Sequence, residues 1–232
     1  MFHQEFNARL NGRTKKIGIL GEVHAYTETE SDFANRQVSN YTTIGVELPS
    51  SNSYLGCITT LPFILAGVAI STPFILAAHL LEKNLFPQAY PKRNPFIKNA
   101  REHAKDLNKR VVNLDGLINP LKTNARLIWG TFLAPYSAYK IYFGRKSTEE
   151  KYKKWEETLI EGGYPENLGW WIYWTADIKK RDKHMAQKAT EFLRTESDEI
   201  LINCGMTHAL GIRRNLEQMT ENLTLVKTER CG

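Results

Sequence analysis

An α/β fold, with a central mixed sheet of about four to five strands flanked by helices, is the architecture this 232-residue sequence predicts. Two observations carry that prediction. Short apolar runs bounded by breakers recur along the chain as "KIGILGE", "TTIGVEL", "KRVVNLDG", "DEILINCG" and "NLTLVKTE", and longer polar stretches of helical periodicity separate them. The length suits one domain over residues 1–232, able to bury roughly 70% of its unfolded surface.

Taken in order, "KIGILGE" reads as a strand ending in the string "GEVH", residues 21–24. The glycine lets the backbone turn tightly there, so that a His three residues on can face a cleft. A helix is expected over 28–39, then a second strand, "TTIGVEL", that carries Glu47 at its tip. Residues 54–81 contain no Asp, Glu, Lys or Arg and are long enough to cross a bilayer once. A single crossing would divide the sheet between two compartments. Pro62 and Pro73 cut the run into short pieces, with Ser71-Thr72-Pro73 reading as a helix start, so an apolar helical hairpin insert is expected. That insert is buried, packed in a homo-oligomer interface, or seated on a membrane surface.

A helix near 95–109 leads into "KRVVNLDG", whose strand tip is Asp115. Helices near 120–140, 148–162 and 169–195 follow, then the strand "DEILINCG", a helix over 206–219 and a last strand, "NLTLVKTE". In the helix over 169–195, Trp174, Ile178, Arg181 and Met185 fall on one face at spacings of four, three and four. Arg181 thus lies among apolar residues, and an inward guanidinium needs an anionic partner. That partner is either Asp177 one turn earlier or a substrate group. His184 and the neighbouring lysines fall on other faces and read as solvated.

The excess of Lys plus Arg (31) over Asp plus Glu (25) is spread along the chain instead of gathered in one block, and no arginine-rich arm or Cys-x-x-Cys is present. Nucleic-acid binding is therefore not expected, whereas an anionic membrane surface stays open. Cys57, Cys204 and Cys231 lack metal-finger or redox spacing, which favours a reducing compartment. The N-terminal stretch shows no apolar core of a secretory signal, so a cytoplasmic or membrane-associated protein is expected.

In open α/β sheets ligands gather beyond the carboxyl ends of strands, and the tips here read "GEVH", "VELP", "LDG" and "CGMTH". Two Gly-x-x-His strings, Gly21 to His24 and Gly205 to His208, each follow a strand. Two imidazoles with a carboxylate such as Glu47 suit a divalent metal with a vacant position for water or substrate. Each residue also has a plain structural role: a partnered His, or a charge that ends a buried strand. Glu22 is a ligand, a group orienting His24, or a general base.

In this order the motifs resemble the TraB family, the pheromone-shutdown and TIKI-type proteins within the wider group of ChaN-like proteins and erythromycin esterases. The resemblance rests on "GEVH", "GVELP", "RDKHMA" for an Arg-Asp-x-x-Met-Ala helix signature, and "GMTHALGI" for Gly-x-x-His-x-x-Gly-Ile. It runs from residue 16 to near 219. The chain reads Asp115-Gly116 where the family usually has Asp-Arg, "RNPFIKNA" in place of Pro-Gly-x-Glu-Met, and Lys180 in place of an acidic residue. The resemblance implies a sheet of the TraB and ChaN type and a peptidase-like, metal-dependent hydrolase acting on a peptide or small signal molecule. It implies His24, Glu47 and His208 as ligands of a divalent metal (manganese, cobalt or zinc). Glu22 and Arg181 are expected to be catalytic, with Gly21, Gly205 and Asp115 near the substrate. The alternatives are a non-enzymatic relative that sequesters a hydrophobic peptide at a membrane through 54–81, and a haem- or iron-binding protein of the ChaN kind.

Overall fold

In a computed structural model of the chain, described for residues 1–22, 26–47, 72–73, 76–77, 80, 83–85, 97–115, 148–164 and 178–231, the sheet has six strands. The elements are β1 (Phe2–Leu10), β2 (Arg13–Glu22), α1 (Glu28–Ser39), β3 (Thr43–Val46), α2 (Ala100–Asp106) and β4 (Arg110–Asn113). They continue with α3 (Thr148–Ile160), α4 (Ile178–Thr195), β5 (Glu199–Gly205), α5 (Met206–Met219) and β6 (Asn222–Arg230).

The sheet runs β4-β3-β5-β2-β1-β6. Its β4, β3, β5 and β2 are mutually parallel, while β1 is antiparallel to both β2 and β6, so the expected mixed sheet is present. The strand count exceeds the expected four to five because β1 went unrecognised. Its signal is legible in hindsight: Phe2, Phe6, Ala8 and Leu10, at even positions, are buried in one core cluster. Asn11 and Gly12 then turn the chain with φ of 51° and 73°. Two successive positive φ values belong to the tight hairpin turn that Asn-Gly favours.

Two apolar clusters pack on opposite faces. One joins Ile17, Ile19, Ile200 and Ile202 of the sheet to Met185 and Ala189 of α4, Leu210 and Ile212 of α5 and Leu159 of α3. The other joins Leu20, Ile44 and Leu201 to Phe33, Ala34 and Val38 of α1 and Ala100 and Ala104 of α2. Alternate residues of a strand face opposite sides, so the buried parallel strands read as continuous apolar runs. The result is a helix–sheet–helix sandwich.

Helix starts follow local chemistry. Thr27 and Glu30 form a reciprocal capping box on α1, and Asn99 and Glu102 do the same on α2. The Asn99 cap explains why α2 begins at Ala100, inside the expected 95–109 span. The helix expected over 120–140 and most of the apolar insert lie outside the described residues. Within 54–81, Thr72, Pro73, Leu76, Ala77 and Leu80 are helical and exposed. Among the described residues, no helix is long and apolar enough to cross a membrane.

Candidate functional site at the carboxyl edge of the sheet

The strand order brings the tips of β2, β5, β3 and β4 side by side, because β5, late in sequence, inserts between β2 and β3. Glu47 stands one residue past β3, its N–H bonded to the Asn203 carbonyl at 3.2 Å, which extends the β3–β5 ladder. Asp115 stands just past β4, where the Asn113 side chain accepts its N–H at 3.0 Å. Arg181 and Asp182 come from the amino-terminal part of α4, and His208 from the first turn of α5.

These groups form one buried hydrogen-bonded network. Arg181 donates to Asp115 Oδ2 from Nε at 3.0 Å and from Nη2 at 2.5 Å, and Nη2 also bonds Glu47 Oε1. Glu47 Oε2 accepts the Gly205 N–H at 2.8 Å. Its carboxylate thus sits against the positive end of the α5 dipole. His208 Nε2 lies 3.4 Å from Glu47 Oε1, and on the other side of the ring Nδ1 lies 2.5 Å from Asp182 Oδ1. Glu47, Asp115, Arg181, Gly205 and His208, expected from separate strings, therefore meet. Asp177, one of the partners open to Arg181 in the sequence, lies outside the described residues; among those described, the carboxylates Arg181 meets are Asp115 and Glu47.

Burial sets the electrostatics. It disfavours the Arg181 charge, yet the Asp115 hydrogen bonds and the Glu47 and Asp115 charges outweigh it, so the guanidinium pKa is raised. Asp182 is pushed up to about 6 by burial, against the pull of its His208 contact. The thiol of Cys204 faces the same region and burial raises its pKa far above the ordinary value, so it is an inert core group and not a nucleophile.

Glu22 ends β2 on the other side of the sheet. In register it sits opposite Gly205, two residues past the Leu20–Asn203 pair, so it shares its face with Asn203. The residue keeps some exposed surface, but its Oε2 is shut from solvent without a hydrogen-bond partner. Burial, with the Glu47 and Glu30 charges, raises its pKa to about 8, opposed by the Asn203 side chain. A Cβ built on Gly21 would meet the Phe2 ring at 2.7 Å, so the glycine admits that ring in the packing of β1 on β2. His24 lies outside the described residues, and among those described no group of three His, Cys, Asp or Glu is arranged to hold a metal.

Sequence reasoning gave no role to Asp182, Asn203 or Gly211. Asp182 was in view inside "RDKHMA", but which residue it meets depends on how α4 packs on α5. A Ser–His contact, Ser31 Oγ to His103 Nε2 at 2.8 Å, joins α1 to α2. Ser31 donates its proton to the Lys98 carbonyl at 2.7 Å, which makes the pair a clasp between helices and not a nucleophile with its base.

Comparison with protein-family models, with curated proteins and with solved structures returned no match.

Proposed function

We propose that the chain is a metal-dependent hydrolase, peptidase-like and of the TraB and TIKI type, acting on a peptide or small signal molecule. The observation that supports this best is the line Asp182–His208–Glu47. The 3.4 Å between His208 Nε2 and Glu47 Oε1 suits two donors on one ion. Ligands about 2.1 Å from a shared centre at a tetrahedral angle are separated by about 3.4 Å. A carboxylate on the far nitrogen is the usual companion of a metal-binding imidazole. That spacing supports a divalent ion such as manganese, cobalt or zinc held by His208 and Glu47, with His24, which lies outside the described residues, proposed as third ligand. When bound, the ion supplies Lewis acidity for attack on a carbonyl.

The chain's own groups supply the rest. Glu22, raised to about 8, carries a proton near neutrality and exchanges it at Oε2 as general acid or base. Arg181, anchored by Asp115, restrains the Glu47 carboxylate and places fixed positive charge where negative charge develops on the substrate.

The test is metal analysis of protein purified without chelator. About one divalent ion per chain is expected, lost in His208→Ala and in Glu47→Ala. Full occupancy in His208→Ala, or no uptake of manganese, cobalt or zinc by the unaltered chain, rejects the reading.

A second reading, a non-enzymatic protein that holds a hydrophobic peptide at a membrane surface, draws on Leu76 and Leu80, each 55% exposed. Both residues are helical in the described parts of the apolar run. This reading expects Leu76→Glu/Leu80→Glu to abolish flotation with anionic vesicles while His208→Ala floats unchanged. Flotation unaffected by the double substitution removes it.

A further inference from the structure

Gly211 follows His208 by three residues on α5, so the two lie on one face a turn apart. Across from them is Asp182 of α4, buried like His208. Its Oδ1 meets His208 Nδ1 at 2.5 Å, while its other oxygen rests against the α5 backbone at Gly211. A Cβ built on Gly211 would overlap Asp182 Oδ2 and come within 2.6 Å of the carboxyl carbon and 3.1 Å of the Asp182 Cβ. The carboxylate thus occupies the space a side chain at 211 would fill. Gly211 also sits inside a helix, where glycine costs about 1 kcal/mol relative to alanine. A glycine kept there for its own conformational sake has no basis, since α5 is regular through it.

We infer that Asp182 is the positioning residue for His208, and that Gly211 is the gap through which its carboxylate reaches the ring. A carboxylate at Nδ1 holds the proton on that nitrogen and turns the lone pair of Nε2 toward Glu47 Oε1. A solvated histidine side chain favours the opposite tautomer, with the proton on Nε2. Without Asp182 the ring presents a hydrogen where the proposed metal or a substrate proton must be received. The same bond fixes the ring plane, because α4 and α5 are packed along their length by Met185, Ala189, Ala209 and Ile212.

This inference rests on the reading of His208 as a functional donor, but its test does not need activity or metal. Ring ¹⁵N shifts and long-range ¹⁵N–¹H couplings of His208 are recorded in the chelator-treated full chain at pH 8. The unaltered protein is expected to show a protonated Nδ1 and a bare Nε2. In Asp182→Ala the proton is expected to move to Nε2. Gly211→Ala is expected to give the same spectrum as Asp182→Ala and a lower Tm. In the double variant Gly211→Ala/Asp182→Ala, the Tm loss due to Gly211→Ala should vanish, because the clashing carboxylate is gone.

A proton on Nε2 in the unaltered chain, alone or together with one on Nδ1, overturns the inference, and so does an Asp182→Ala spectrum identical to the unaltered one. Should Gly211→Ala fail to fold, the first two measurements still decide. A chain with the expected tautomer that takes up no metal leaves this inference standing and rejects only the hydrolase reading. A chain that binds metal but carries its proton on Nε2 in the metal-free form does the reverse.

Discussion

Asp115 has no exposed surface, and Arg181 reaches it with two donors. Removing one partner of a buried ion pair strands the other, at a cost of about 3–5 kcal/mol. Arg181→Leu should therefore shift the urea midpoint strongly downward, and Arg181→Leu/Asp115→Leu should recover much of the loss; equal stability of the two variants contradicts the pairing. Glu22 makes a prediction in pH. Its carboxyl rises from 4.5 to about 8 on folding, so the folded state holds a proton that the unfolded chain releases. Its contribution is complete below about pH 4.5 and is lost as pH rises toward 8. Relative to the unaltered chain, Glu22→Gln should gain Tm at pH 9 and gain little at pH 5. A Tm difference that does not vary with pH excludes the shift. At this scale residue types were readable but pairings were not. Its spacing from Ile178 and Met185 predicted that Arg181 turns inward; only the folded chain shows that it meets Asp115, 66 residues away.

The elements that hold the site obey short-range rules well. The α1 span was legible because Thr27-x-x-Glu30 is a capping box followed by an amphipathic pattern, and the structure starts the helix at Glu28. Thr27→Ala removes the hydroxyl that accepts the Glu30 N–H, leaving the half in which the backbone N–H of residue 27 donates to Glu30, and should lower stability by about 1 kcal/mol in chemical unfolding; an unchanged midpoint would show that the hydroxyl cap adds nothing. The strands β2, β3, β4 and β5 were visible as apolar runs because both faces are covered. β1 was harder, since its polar residues alternate with apolar ones and the Asn11-Gly12 turn was the only punctuation. β6 illustrates the opposite end of the sheet. Among the described residues it pairs with β1 alone, its register shifts at Glu5/Phe6, and Leu225 and Val226 are exposed. A bulge and charged residues such as Lys227, Glu229 and Arg230 are features that discourage pairing with another chain.

For the molecule as a whole, stability should grade across the sheet. β5 and β2 lie between paired strands under both core clusters, while β6 has one neighbour among the described residues and an exposed surface. Amide exchange should therefore be slowest in Ile200–Asn203 and Ile17–Leu20 and fastest in β6; β6 protected as long as β5 would mean that its outer edge is covered in solution. The sequence by itself determined the α/β class, the strand tips and the residue types at them, because periodicity and turn chemistry act within a few residues along the chain. It also placed Glu47, Arg181 and His208 among the residues to watch, since each follows a strand or lies on an apolar face. The tertiary structure alone decided the strand order, which sets Glu47 beside Gly205 and His208, and the packing of α4 on α5, which admits Asp182 at Gly211. The Asp182–His208 and Glu47–Gly205 contacts join residues 26 and 158 positions apart, and local propensity contains no information about separations of that length.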